Sequence, residues 1–120
     1  AGFTPVVPDA LGPPQEIRLD GRVVTLVYDR GDTLLAQLPG ALDEQLLTKI
    51  AGPGTEVRRL PDGLFFSGRE HVYLYRRPGG EVAEDRPRLA GDTFVTQRGD
   101  VLLRLEARKL TIQRARALLR

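Results

Sequence analysis

The sequence predicts an α+β domain: a mostly antiparallel sheet with two short helices on one of its faces. Three observations carry this expectation. Short β-prone segments recur between turn-forming pairs such as Asp20-Gly21 and Arg98-Gly99. Two leucine-bearing segments with helical spacing each follow a capping residue, Asp43 or Thr111. A stretch with strand–turn–strand character also comes back later in the chain, each time ahead of one of those helical segments.

Residues 1–15 hold Pro5, Pro8, Pro13 and Pro14 and are read as a proline-rich arm, extended because proline lacks an N–H and fixes φ. Phe3, Val6, Val7 and Leu11 give that arm the means to dock on the domain, which occupies residues 16–120. Glu16–Leu19, Val23–Tyr28 and Thr33–Leu38 read as strands, the first pair joined by Asp20-Gly21, where both positions tolerate positive φ. Leu42, Leu46, Leu47 and Ile50 mark the buried stripe of a helix that begins after Asp43 and stops at Gly52-Pro53. Glu56–Leu60, Leu64–Ser67 and Val72–Arg76 are further strands. The proline-, glycine- and charge-rich stretch 78–91 is a surface loop with room for a short strand near Val82. Thr93–Gln97 and Val101–Glu106 form a last hairpin, followed by a helix from about Ile112 with Ile112, Ala115, Leu118 and Leu119 on its apolar side. Helices this short need tertiary packing to persist.

Residues 25–38 (TLVYDRGDTLLAQL) and 93–106 (TFVTQRGDVLLRLE) are identical at seven of fourteen positions at a constant offset of 68. The same offset places Asp43 on Thr111 and Ile50 on Leu118. This suggests two pseudo-symmetric ββα units sharing one sheet. The competing account is chance likeness between two leucine-rich hairpins with glycine turns.

The 120 residues suffice for one domain, and a hydrophobic content of 41% can fill one core. No apolar run approaches the ~18 residues of a membrane helix, and the start lacks the basic-then-apolar pattern of a signal peptide. The absence of methionine is read as the mark of an excised or processed chain. Without cysteine there are no disulfides or thiolate metal sites. The net charge of +2 is uneven: residues 98–120 carry +5 and the rest −3. Arg104, Arg108, Lys109, Arg114, Arg116 and Arg120 thus form a candidate basic patch for an anionic partner. A solvated helix face explains the same residues.

No catalytic, cofactor or metal constellation is expected. His71 is the lone histidine, Ser67 the lone serine, and Gly52-Pro53-Gly54 lacks the Lys-Ser/Thr of a phosphate loop. Arg-Gly-Asp at 30–32 and 98–100 reads as two hairpin turns rather than as an adhesion signal. Alternation puts His71, Tyr73 and Tyr75 on one strand face, opposite Val72 and Leu74. Exposed, that stripe would be a candidate binding face for a peptide, glycan or single-stranded nucleic acid. Cross-strand tyrosine pairing without a ligand is the plainer account.

Phe3-Thr4-Pro5-Val6-Val7-Pro8, Leu11-Gly12-Pro13-Pro14 and Val24–Tyr28, together with Leu89-Ala90-Gly91-Asp92-Thr93, Gln97-Arg98-Gly99 and Leu103–Glu106, resemble an uncharacterised extracytoplasmic domain family of Gram-positive bacteria. Phe94 stands where that family usually carries an aromatic, often tryptophan. The resemblance implies a non-catalytic sensing or protein-interaction domain outside the membrane, tethered by an upstream anchor in an anti-sigma-factor-like regulator, with an envelope protein or ligand as partner. It brings no catalytic residues. Alternatives are a secreted or lipid-anchored structural or ligand-binding module, a nucleic-acid binder using the basic C-terminal segment, and a small enzyme with a deep polar pocket.

Overall fold

The computed structural model describes residues 2–46, 56–67, 72–89 and 91–120. Among these residues nine strands and one α-helix follow in chain order: β1 (Glu16–Asp20), β2 (Val23–Tyr28), β3 (Thr33–Pro39), β4 (Glu56–Leu60), β5 (Gly63–Ser67), β6 (Tyr73–Arg76), β7 (Val82–Asp85), β8 (Asp92–Arg98), β9 (Val101–Ala107) and α1 (Ile112–Leu118). Seven strands form one antiparallel sheet in the order β1-β2-β3-β9-β8-β5-β4, and β6 and β7 pair separately as a hairpin.

The sheet is covered on both faces, which explains the composition of its middle strands. In β3 and β9 the runs Thr33–Leu38 and Leu102–Glu106 are buried without a break. A half-exposed antiparallel sheet would alternate buried and exposed positions; a sheet buried on both sides reads as a continuous apolar run. Over one face lie the C-terminal segment and the N-terminal arm. Leu110, Ala115 and Leu119 pack there with Tyr28, Leu35, Phe65, Phe94, Leu103 and Leu105, and Phe3 and Leu11 of the arm join the same cluster. Over the other face folds the β6–β7 hairpin, whose Tyr73, Tyr75 and Ala83 cover Ala36, Leu38, Phe66, Val95 and Leu102.

Specific polar contacts hold both covers in place. The Gln37 side chain treats Val6 as a strand neighbour: its Oε1 accepts from Val6 N at 2.8 Å and its Nε2 donates to Val6 O at 2.6 Å. Tyr28 Oη donates to Gly12 O at 3.0 Å. The hairpin is tied to the end of β3 by a bridge between Ala41 and Arg76, with N···O distances of 2.9 Å in both directions. Gly40 permits that approach, because a Cβ there would lie 2.5 Å from the Arg76 carbonyl oxygen. The helix α1 starts where Thr111 Oγ1 accepts from Arg114 N at 3.1 Å. At its other end Arg98 donates to the Leu119 carbonyl at 2.7 Å, satisfying a terminal carbonyl.

The architecture is mostly antiparallel sheet with one helix among the described residues. The other expected helix is only entered by them. Asp43 caps a turn, its Oδ1 accepting from Gln45 N at 3.0 Å, and residues 44–46 continue that turn. The remainder of that helix, from Leu47 onward, lies outside the described residues. The two hairpins of the proposed repeat do share the sheet, yet their connections differ. β2 and β3 are joined by residues 29–32, with Asp29 and Arg30 at φ 50° and 56°, whereas β8 and β9 are joined by Gly99-Asp100 alone. Tyr28 faces Thr33 across the first connection and Arg98 faces Val101 across the second, so the cross-strand registers do not coincide at the 68-residue offset.

Candidate interaction surfaces

The tyrosine stripe faces inward. Tyr73 and Tyr75 do share one side of β6, but that side is pressed onto the sheet, leaving Tyr73 fully buried and Tyr75 nearly so. Their rings continue an aromatic row from Phe66, with centroids 5.7 Å apart for Phe66–Tyr73 and 6.3 Å for Tyr73–Tyr75. The expected exposed binding face is therefore corrected: strand alternation identified which side chains travel together, and packing turned them to the core. His71 lies outside the described residues.

The basic patch is also corrected, for Arg104 is 3% exposed. It projects from β9 onto the hairpin face, where its Nη1 donates to Asp85 Oδ1 of β7 and its Nε donates to Glu106 Oε2 at 3.2 Å. Asp85 also accepts from Tyr73 Oη at 2.5 Å. Glu106 Oε1 accepts from the backbone N–H groups of Arg88 and Leu89 at 2.5 and 2.9 Å. Burial opposes the Arg104 charge, but Asp85 and then Glu106 outweigh it, so its pKa rises and it stays a cation. Burial, reinforced by the Asp85 charge, pushes the Tyr73 phenol well above its ordinary value, so it stays a donor. The network joins the β6–β7 hairpin, the segment after it and the centre of the main sheet. A buried charge demands such partners, and Arg104 Nε and Nη1 and all four carboxylate oxygens meet one here.

The other basic side chains do not converge. Arg116 makes a two-point contact with Asp62, at 2.8 and 2.7 Å, across the β4–β5 turn. Arg108 reaches Asp32 at 3.2 Å. Arg108, Lys109 and Arg114 line a cleft of about 380 Å³ together with Asp29 and Asp32, so the local field is mixed rather than positive. Lys109 and Arg120 are exposed. A larger cleft, of about 530 Å³, opens between the β1–β2 and β6–β7 turns and is likewise mixed, with Arg22 and Arg77 beside Asp20 and Glu81. Among the described residues no group of three or more His, Cys, Asp or Glu side chains could hold a metal ion. No helix among them is long and apolar enough to cross a membrane.

Sequence reasoning found β1 as a strand but missed it as a candidate surface. It forms one margin of the seven-stranded sheet, and all five of its residues are exposed. Ile17 and Leu19 are 58% and 73% exposed. They lie opposite Leu26 and Val24, on the sheet face that carries the arm and α1. Glu16, Arg18 and Asp20 take the other face. Arg18 Nε donates to Glu16 Oε1 at 3.0 Å, and Arg88 approaches Asp20 at 3.7 Å. An edge strand presents unpaired backbone donors and acceptors that a further strand can use.

No family model, curated protein or solved structure matches the chain.

Proposed function

We propose that this chain is a non-catalytic protein-interaction module that recruits a partner strand at β1. We place it on the outer side of the membrane, within an anchored, anti-sigma-factor-like regulator. The observation that supports the interaction reading is the exposed β1 edge, with Ile17 and Leu19 exposed on a strand that has one neighbour among the described residues. Addition of a strand to such an edge gives affinity through main-chain hydrogen bonds and specificity through alternate side chains. The outer location and the anchored setting rest on the family resemblance. Binding at the edge would then bias whatever state of the anchored protein exposes it.

The chain has no cysteine, so one introduced thiol reports location cleanly. In the full-length natural protein, with any native cysteines removed, Lys109→Cys is expected to react with a membrane-impermeant maleimide in intact cells. Labelling only after lysis overturns the outer location. In the same protein Leu19→Lys is expected to change the transcript profile of the cell. An unchanged profile, with the protein folded and at normal level, overturns the regulatory reading and leaves a structural or ligand-binding module.

We also propose that the two hairpins derive from one ββα unit. In support, β3 and β9 lie side by side and antiparallel, with Ala36 opposite Arg104, positions 68 apart in sequence. An approximate two-fold axis through that pair would exchange the hairpins. The unequal connections then represent divergence at the turns.

A further inference from the structure

Resting on the β1 interaction reading, we propose that the partner strand is β1 of a second copy, paired antiparallel about a two-fold axis at Ile17. The composition of the strand selects both partner and register. Its sequence, Glu16-Ile17-Arg18-Leu19-Asp20, places charge on one face and aliphatic side chains on the other. A two-fold axis perpendicular to the sheet keeps like faces together, so each apolar side chain meets the partner's apolar face.

Three registers preserve that arrangement, and their charges distinguish them. Centring on Arg18 sets Arg18 against its own copy and Glu16 against Asp20, like charges directly opposite, which is unfavourable. Centring on Leu19 pairs Arg18 with Asp20 and runs on into the Gly21-Arg22 turn, as centring on Ile17 runs back to Gln15 opposite Leu19; it is the poorer of the two because it draws Arg18 from Glu16 and Asp20 from Arg88. Centring on Ile17 brings Ile17 onto Ile17 and Glu16 onto Arg18 twice. The Glu16–Arg18 pair within each copy is already formed at 3.0 Å. The two copies therefore close a ring of four charges of alternating sign. Asp20 stays outside the ring, beside Arg88 of its own chain. The result is a sheet of fourteen strands continuous through the axis, twice the seven of one copy.

Pairing along so short a strand buries less than the surface of a standard stable interface, so the dimer forms at high concentration. Sedimentation velocity of the wild-type chain from about 10 μM to 1 mM is expected to show a concentration-dependent shift from monomer to dimer. Arg18→Glu and Glu16→Arg each place like charges around the ring, and each is expected to sediment as a monomer over that range. An equimolar mixture of the two restores both opposite-sign contacts across the axis and is expected to dimerise. Ile17→Lys should abolish the dimer in any background. Circular dichroism and thermal melting establish that each variant is folded, as these side chains are exposed. A wild-type chain that remains monomeric overturns the proposal. So does a mixture that fails to associate although the wild type dimerises, because that removes the register. If the wild type is monomeric while Leu19→Lys still alters cellular transcripts, the interaction reading stands and its partner is another protein.

Discussion

Replacing Arg104 with methionine tests the internal charge network most directly. The substitution keeps an unbranched side chain in β9 and removes the cation shared by Asp85 and Glu106, which are 9% and 0% exposed. Among the described residues Asp85 would retain the Tyr73 hydroxyl, and Glu106 the backbone N–H groups of Arg88 and Leu89. Removing one partner of a buried pair costs about 3–5 kcal/mol, because an uncompensated charge remains inside. Small domains have about 5–15 kcal/mol in total, so the variant should keep its fold with much of its margin gone. With a urea dependence of about 1–3 kcal/mol per molar, the denaturation midpoint should fall by roughly 2 M. Replacing Arg104, Asp85, Glu106 and Tyr73 together, by Met, Leu, Leu and Phe, removes both the charges and the phenol that served them. The combined variant should recover part of the loss, since apolar substitutes for a buried ionic group are often neutral or better, while the Arg88 and Leu89 N–H groups lose their Glu106 acceptor. A loss below about 1 kcal/mol for Arg104→Met alone would refute the reasoning. It would mean that water reaches these carboxylates and that the hairpin is not clamped over them.

Two more outcomes follow from contacts elsewhere in the fold. Gln37→Leu removes both contacts to Val6 and should cost about 1–3 kcal/mol; hydrogen exchange at the Val6 amide should accelerate while amides within β9 keep their protection. Hydrogen bonds from Arg116 to Asp62, and from Arg76 and then Gln45 N to Asp43, lower those two carboxyl pKa values. Stabilisation from a lowered carboxyl pKa is present above the ordinary carboxylate range and is lost as pH falls through the folded-state value. The stability difference between wild type and Arg116→Gln should therefore be present at neutral pH and close on acidification below about pH 4, as urea melts at several pH values would show. The Arg116–Asp62 pair is exposed, so added salt should narrow the same difference.

The strands were legible because their limits are written in local chemistry. Asp20-Gly21, Pro61-Asp62-Gly63 and Gly99-Asp100 are turns on backbone grounds alone, and what lies between them is β-prone. The placement of β6 and β7 was not legible. Period-two alternation groups Tyr73 with Tyr75 but is blind to which side will be covered, and the cover depends on partners far away in sequence, such as Phe66 and Val95. A signal for Arg104 did exist. It stands among Leu102, Leu103 and Leu105, so both faces of its strand are apolar, and Glu106 follows two residues later on its own face. A cation in such a run cannot reach water by alternation and must find a carboxylate inside. The charge total of the C-terminal segment hid this, because summing charges treats an interior arginine like an exposed one.

The distribution of charge bears directly on what the surface can do. Of the basic side chains after residue 97, Arg104, Arg108 and Arg116 are matched by carboxylates, and Arg98 is turned to the end of α1. An anionic partner would meet a mixed surface there, with Asp29 and Asp32 lining the same cleft as Lys109 and Arg114. At β1 the balance reverses: charge is exposed but ordered, alternating with Ile17 and Leu19 along an edge that has one neighbour. Charges on an edge strand ordinarily discourage pairing. They do so only against strands that cannot match them. A partner presenting the opposite sequence of signs gains what a random strand loses, so the residues that protect this edge also specify what can add to it. Arg18→Glu and Glu16→Arg separate those roles, since each alone should block association and the two chains mixed should restore it.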